Sequence, residues 1–186
     1  MKKTTLALAL ATSLVAVGAG VATSAVTAYT TLPKCNGKFA TILSNGPIVY
    51  GTSYNDVIVV YGSGAHTIYG YQGNDTICGS DGADLIWGGR GIDWIAGGAS
   101  NDVIHGGDSG VAETDAAGSD YVQGDGGNDL IYGEQAADEL HGNAGNDVIY
   151  GGPGNDVMFG EAGSDSMYGE AGADAAPDKT TGELKD

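Results

Sequence analysis

An aspartate recurs at nine-residue intervals along most of this 186-residue chain: Asp75, Asp84, Asp93, Asp102, then Asp120, Asp129, Asp138, Asp147, Asp156, Asp165 and Asp174. Eleven carboxylates in phase point to collective chemistry. Held roughly 5 Å apart they repel one another unless a cation lies between them. No His–Cys cluster competes for a transition metal. Carboxylates joined by turn carbonyls suit a hard dication with a large, adaptable shell, which describes Ca²⁺ better than Mg²⁺. The competing reading is a row of solvated surface charges. It fits poorly, because 20 of the 24 acidic residues fall between Gly70 and Pro177 and only Arg90 offsets them there.

Something repetitive must hold these side chains. Two residues after each Asp comes a mostly apolar residue: Ile77, Ile86, Ile95, Ile104, Val122, Ile131, Leu140, Ile149, Met158, Met167 and Ala176. Gly usually stands two residues before the Asp, and another Gly opens most units. Such glycines permit tight turns, and the three residues after each Asp read as a short strand with one inward side chain. One nonapeptide buries nothing alone, whereas stacked units share a continuous thin core. Two units per 18-residue coil, with strands ~4.8 Å apart, predict an all-β, right-handed parallel β-roll (a β-solenoid). The aspartates then form two rows: Asp75, Asp93, Asp120, Asp138, Asp156 and Asp174 on one side, and Asp84, Asp102, Asp129, Asp147 and Asp165 on the other.

The unit Gly151-Gly152-Pro153-Gly154-Asn155-Asp156-Val157-Met158-Phe159 resembles, at every defined position, the hemolysin-type calcium-binding repeat of the RTX family, Gly-Gly-x-Gly-x-Asp-x-apolar-x. The resemblance covers residues 70–177, with weaker units at Tyr54–Ile58 and Gly64–Ile68. The segment Cys35-Asn-Gly-Lys-Phe-Ala-Thr-Ile also resembles the leader of small secreted bacterial members. It implies Ca²⁺ held between repeats n and n+2 by the Asp carboxylates and by turn carbonyls near Gly73, Gly82, Gly91, Gly127, Gly145, Gly154 and Gly163. It also implies folding that depends on the ion.

Departures from the pattern are informative. Ala136 and Ser100 replace the Gly before Asp138 and Asp102, so positive φ there costs ~1 kcal/mol each. At position 66 a His stands where the pattern wants Asp. Between Gly106 and Gly118 the phase would place Val111 at an Asp position and Glu113 in the core. A buried unpaired carboxylate is costly, so Ser109–Ala117 is expected to loop out, with Gly106-Gly107-Asp108 joining Gly118-Ser119-Asp120 as one unit.

The remaining segments bear on location. Met1-Lys2-Lys3, the apolar run Leu6–Val21 and the small-residue site Val26-Thr27-Ala28 read as a cleaved signal peptide over 1–28. The apolar run is shorter than the ~20 residues a span needs, so no membrane span is expected after cleavage. This places the protein outside the cell. Residues 29–69 read as an N-terminal cap with degenerate repeats, 70–177 as the roll, and 178–186 as a disordered tail. A net charge of −17 excludes nucleic acid as a partner.

Other candidates are weaker. Gly107-Asp108-Ser109-Gly110 resembles the nucleophile segment of chymotrypsin-like proteases but lacks a suitably placed base, and no catalytic residue is expected. His66, His105 and His141 share no metal spacing and read as outward strand residues. Tyr132, Tyr150 and Tyr168 lie 18 apart and should stack as a ladder. Such a strip either stiffens the sheet or binds a glycan or protein partner. Cys35 and Cys78 suit a disulfide tying the leader onto the roll, with a free thiol or a metal pair as the other readings. The expectation is a secreted, non-enzymatic calcium-binding roll, with a sugar-binding solenoid or an accessory fragment of a secreted RTX-type enzyme as alternatives.

Overall fold

The computed structural model describes residues 33–107, 118–178 and 184–185. Residues 33–186 group into one compact unit, apart from residues 1–32. Residues 1–28, expected to be a signal peptide, lie outside the described residues, as do the expected loop residues Ser109–Ala117, Glu113 among them.

A two-stranded antiparallel hairpin, β1 (Lys34–Cys35) and β2 (Lys38–Phe39), opens the fold. Two parallel eight-stranded sheets follow, and the chain alternates between them. One sheet holds β3 (Ile42–Ser44), β5 (Val57–Val60), β7 (Thr76–Cys78), β9 (Trp94–Ala99), β11 (Tyr121–Gly126), β13 (Glu139–His141), β15 (Val157–Phe159) and β17 (Ala175–Asp178). The other holds β4 (Ile48–Tyr50), β6 (Thr67–Gln72), β8 (Leu85–Arg90), β10 (Val103–His105), β12 (Leu130–Tyr132), β14 (Val148–Pro153), β16 (Ser166–Ala171) and β18 (Leu184–Lys185). No helix occurs among the described residues. The architecture is the expected parallel β-roll, a solenoid of about 7 turns.

The period explains the layers. In each short strand the central residue points inward and its neighbours outward, because side chains alternate along an extended chain. All eleven predicted inward residues are buried, joined by Val49, Ile58, Val60 and Ile68. Thus the core is a single file of aliphatic side chains between two sheets. Strands pair 18 residues apart along most of the roll, as in Tyr121↔Glu139 and Leu130↔Val148. At one place in each sheet the separation is 27: Trp94↔Tyr121 and Val103↔Leu130. Nine residues are thus left out of the pairing in both sheets at the same coil.

The tail differs from expectation. Leu184–Lys185 lies parallel to β16, with Met167↔Leu184 and Tyr168↔Lys185 in register. The physical reason is the open edge of β16, whose unpaired N–H and C=O groups are a template for another strand. At the opposite end Cys35 and Cys78 form a disulfide, joining the hairpin to β7. Lys38 Nζ adds a 2.8 Å hydrogen bond to Thr76 Oγ1. The cross-link spans 43 residues, and its loop-closure entropy amounts to ~4 kcal/mol. Replacing both cysteines with Ser should lower stability in calcium by about that amount, read as a reduced urea midpoint at constant slope. An unchanged midpoint would mean that the hairpin holds its place without the bond.

Candidate metal centre

Each repeat turn aims its aspartate carboxylate back at the preceding coil. The backbone N–H of Asp75 donates to Asp93 Oδ1 at 2.7 Å, that of Asp93 to Asp120 at 2.8 Å, and Asp120, Asp138 and Asp156 continue the row to Asp174. On the other side Asp84 donates to Asp102, Asp102 to Asp129, Asp129 to Asp147 and Asp147 to Asp165. These are the two rows the sequence predicts, with the 27-residue steps taken at Asp93 and Asp102. One member escaped the pattern. Asp56 heads the first row by donating its N–H to Asp75 Oδ1.

The carboxylates are not solvated surface charges. Asp75, Asp84, Asp93, Asp102, Asp120, Asp129, Asp138, Asp147, Asp156 and Asp165 are all buried, and Asp156 is fully enclosed. While Oδ1 accepts the cross-coil bond, Oδ2 of Asp75, Asp102, Asp129, Asp138, Asp147 and Asp156 is buried with no hydrogen-bond partner. A buried charged oxygen without a partner costs several kcal/mol. Six in two rows call for a shared counter-charge.

The glycines explain how oxygens crowd here. A Cβ built on Gly97 would lie 2.5 Å from Asp102 Oδ2 and 2.8 Å from the Gly124 carbonyl oxygen, and one on Gly133 2.7 Å from Asp138 Oδ2 and 2.6 Å from the Gly151 oxygen. Only a residue without a side chain lets these two oxygens approach. The expected carbonyl donors also stack. A Cβ on Gly91 would collide with the Gly73 oxygen, one on Gly145 with that of Gly127, and one on Gly163 with that of Gly145. Gly82 and Gly154 pack likewise on the carbonyls of Gly64 and Ala136. Among the described residues no three His, Cys, Asp or Glu side chains converge on one point. An ion here must therefore draw many of its ligands from the main chain. An all-oxygen donor set with orphaned carboxylate oxygens fits a hard dication.

A family model for the RTX calcium-binding nonapeptide repeat matches four times, over residues 50–86, 79–109, 116–149 and 141–175. The chain belongs to the RTX repeat family. No curated protein and no solved structure matches it. Calcium binding by the roll follows from that membership.

Asp84 stands apart from the other RTX aspartates. Its Oδ1 accepts the His66 N–H at 2.8 Å and lies 3.0 Å from His66 Nδ1, while its Oδ2 accepts the Ser80 N–H at 2.7 Å. His66 also corrects an expectation. It is buried rather than an outward strand residue, because it occupies the turn position that Asp fills elsewhere. His105 and His141 do face outward, stacked against Tyr132 at 4.7 Å and Phe159 at 4.6 Å.

A second turn position went unread in the sequence. The residue four before the Asp takes positive φ at Tyr71, Gly89, Gly98, Asp125, Glu134, Asn143, Gly152, Glu161 and Glu170. Asn, Asp and Gly at some of these places were the available signal. Ser100 and Ala136 also adopt the expected positive φ, at 77° and 94°.

Burial governs the electrostatics. It pushes the carboxyls of Asp75, Asp102 and Asp138 up to about 7, Asp129 to about 6 and Asp120 to about 9. The cross-coil N–H opposes the rise in each case, and the charge of the neighbouring row member adds to it. Asp147 and Asp156 are raised for the same reasons. Since these values exceed the ordinary 3.8, the ion-free fold takes up protons on forming. Its stability is full below about pH 4 and drains as pH climbs through 6 to 9. In EDTA the β signal in circular dichroism should therefore be stronger at pH 5 than at pH 8. Apparent calcium affinity should run the opposite way, because the ligand form is the carboxylate. A β signal in EDTA that grows toward pH 8 would contradict the burial of these groups.

Proposed function

We propose that the chain is an exported, non-enzymatic RTX module that folds around Ca²⁺ and serves as a surface or matrix element outside the cell. The observation that carries the reading is the set of six buried Oδ2 atoms without partners, on Asp75, Asp102, Asp129, Asp138, Asp147 and Asp156. The ligands are Asp75, Asp93, Asp102, Asp120, Asp129, Asp138, Asp147, Asp156, Asp165 and Asp174, completed by carbonyls of the turns around Gly73, Gly91, Gly127, Gly145, Gly154 and Gly163. Bound calcium supplies the positive charge that lets two rows of carboxylates remain ionised in a dry setting. The chain's own residues do the rest. The N–H of each Asp fixes the next carboxylate, and the glycines admit the carbonyls.

Two features suit an exported protein. Calcium outside cells is millimolar, which suits sites of modest affinity, and the disulfide suits an oxidising compartment. Among the described residues no helix is long and apolar enough to cross a membrane. The glycan alternative loses support from ring geometry. Trp87, His105, Tyr132, Tyr150 and Tyr168 stack with centroids 4.7–5.3 Å apart and planes within 12°. Their faces cover one another, which leaves edges rather than the open faces a sugar ring would stack upon.

Titration of the disulfide-bonded protein with CaCl₂ at pH 7.5 should produce a cooperative gain of β signal in the sub-millimolar to millimolar range, reversed by EDTA and not matched by MgCl₂. Asp138→Asn keeps an acceptor for the Asp120 N–H but removes a charge from the row. It should raise the calcium midpoint about tenfold, the equivalent of ~1.4 kcal/mol for one charge-assisted ligand. A chain whose β signal ignores calcium throughout would end this proposal.

A further inference from the structure

The ends of the two rows are not built like their middles. In the middle, at Asp75, Asp102, Asp129, Asp138, Asp147 and Asp156, the residue four before the Asp has positive φ and the Asp keeps an orphaned Oδ2. At the N-terminal end the corresponding residues are Thr52 and Ser80, which stay out of the left-handed region. Their N–H groups instead donate to the carboxylate of their own unit, Thr52 to Asp56 Oδ2 at 2.8 Å and Ser80 to Asp84 Oδ2 at 2.7 Å. Thr52 Oγ1 adds a 2.6 Å bond to the same Asp56 oxygen. Ser80 Oγ accepts the Gly82 N–H and lies 3.1 Å from His66 Nδ1, whose ring also reaches Asp84 Oδ1. Protein donors thus occupy the oxygens that elsewhere lack partners.

We infer that β1 to β7, together with the Asp84 turn, form a calcium-independent cap, in which Thr52, His66 and Ser80 supply by hydrogen bonding what the ion supplies elsewhere. The oxygens that require the ion then begin with Asp75 Oδ2, at the boundary of the cap, in one row and with Asp102 Oδ2 in the other. The cap has its own means of staying folded, since the Cys35–Cys78 disulfide links its first strand to its last and Val49, Ile58, Val60, Ile68 and Ile77 are buried within it. Solenoid folding is limited by the first coil, because each later coil adds to an existing edge. A preformed end therefore offers calcium a template in the correct register, from which coils add toward the C-terminus.

This inference rests on the calcium reading, and one experiment separates their failures. Amide hydrogen exchange of the full chain with its disulfide intact is measured in EDTA and in CaCl₂ at pH 7.5. In EDTA the strands β3 to β7 should exchange at least about 100-fold more slowly than β9 to β16, and calcium should protect β9 to β16. Equal, fast exchange of both regions in EDTA overturns the cap while leaving calcium-driven folding intact. Protection that is indifferent to calcium throughout overturns both. The double variant His66→Asp, Ser80→Gly restores the repeat pattern at the cap. It should erase the 100-fold difference in EDTA, and a cap that stays protected in this variant overturns the role given to these donors.

Discussion

The roll depends on a carboxylate divided between two tasks. One oxygen of each aspartate accepts the main-chain N–H of the previous coil and so sets the spacing and register of the turns. In Asp75, Asp102, Asp129, Asp138, Asp147 and Asp156 the other is left bare in a site closed to water. A neutral side chain could do the first task without the second. Aspartate does both, which makes the geometry of the turn and its demand for positive charge inseparable. A file of one aliphatic residue per nonapeptide is too thin to outweigh that demand, particularly in a chain of net charge −17. Beyond the cap, folding and ion capture are on this account one event.

Much of this was legible in the sequence because periodicity encodes direction. A residue two places after an Asp is always central in its short strand, so Ile77, Leu140 and Met158 could be placed inside without coordinates. The step from Asp93 to Asp120 was also legible, since the alternative sends Glu113 inward. Periodicity is silent on which atom of a side chain meets a partner 18 residues away. That is why the cross-coil bonds, the closed carboxylate of Asp84 and the burial of His66 came only with the structure. The strand at Leu184–Lys185 was missed for another reason. Nothing in a polar tail marks it for pairing, because the template is the exposed edge of β16.

The outer face of one sheet carries its own long-range order. Tyr50 stacks on Tyr69 at 5.7 Å and Tyr69 on Trp87 at 4.9 Å, so the aromatic file runs along seven successive strands to Tyr168. Same-face pairs of this kind contribute roughly 0.2–1 kcal/mol each. They act on the face away from the core, and they favour the same in-register parallel stacking as the inward file. The sheet is thereby held in register from both faces, by stacking contacts that do not wait for an ion.

The double step of 27 residues has a bearing on how such chains can change length. Because consecutive nonapeptides alternate between sheets, nine extra residues wound into the coil would move every later strand to the opposite wall and exchange the two aspartate rows. Keeping nine residues out of the pairing in both sheets leaves every downstream strand on its own wall. Whole coils of eighteen, or segments of any length held outside the pairing, are thus the insertions this architecture tolerates.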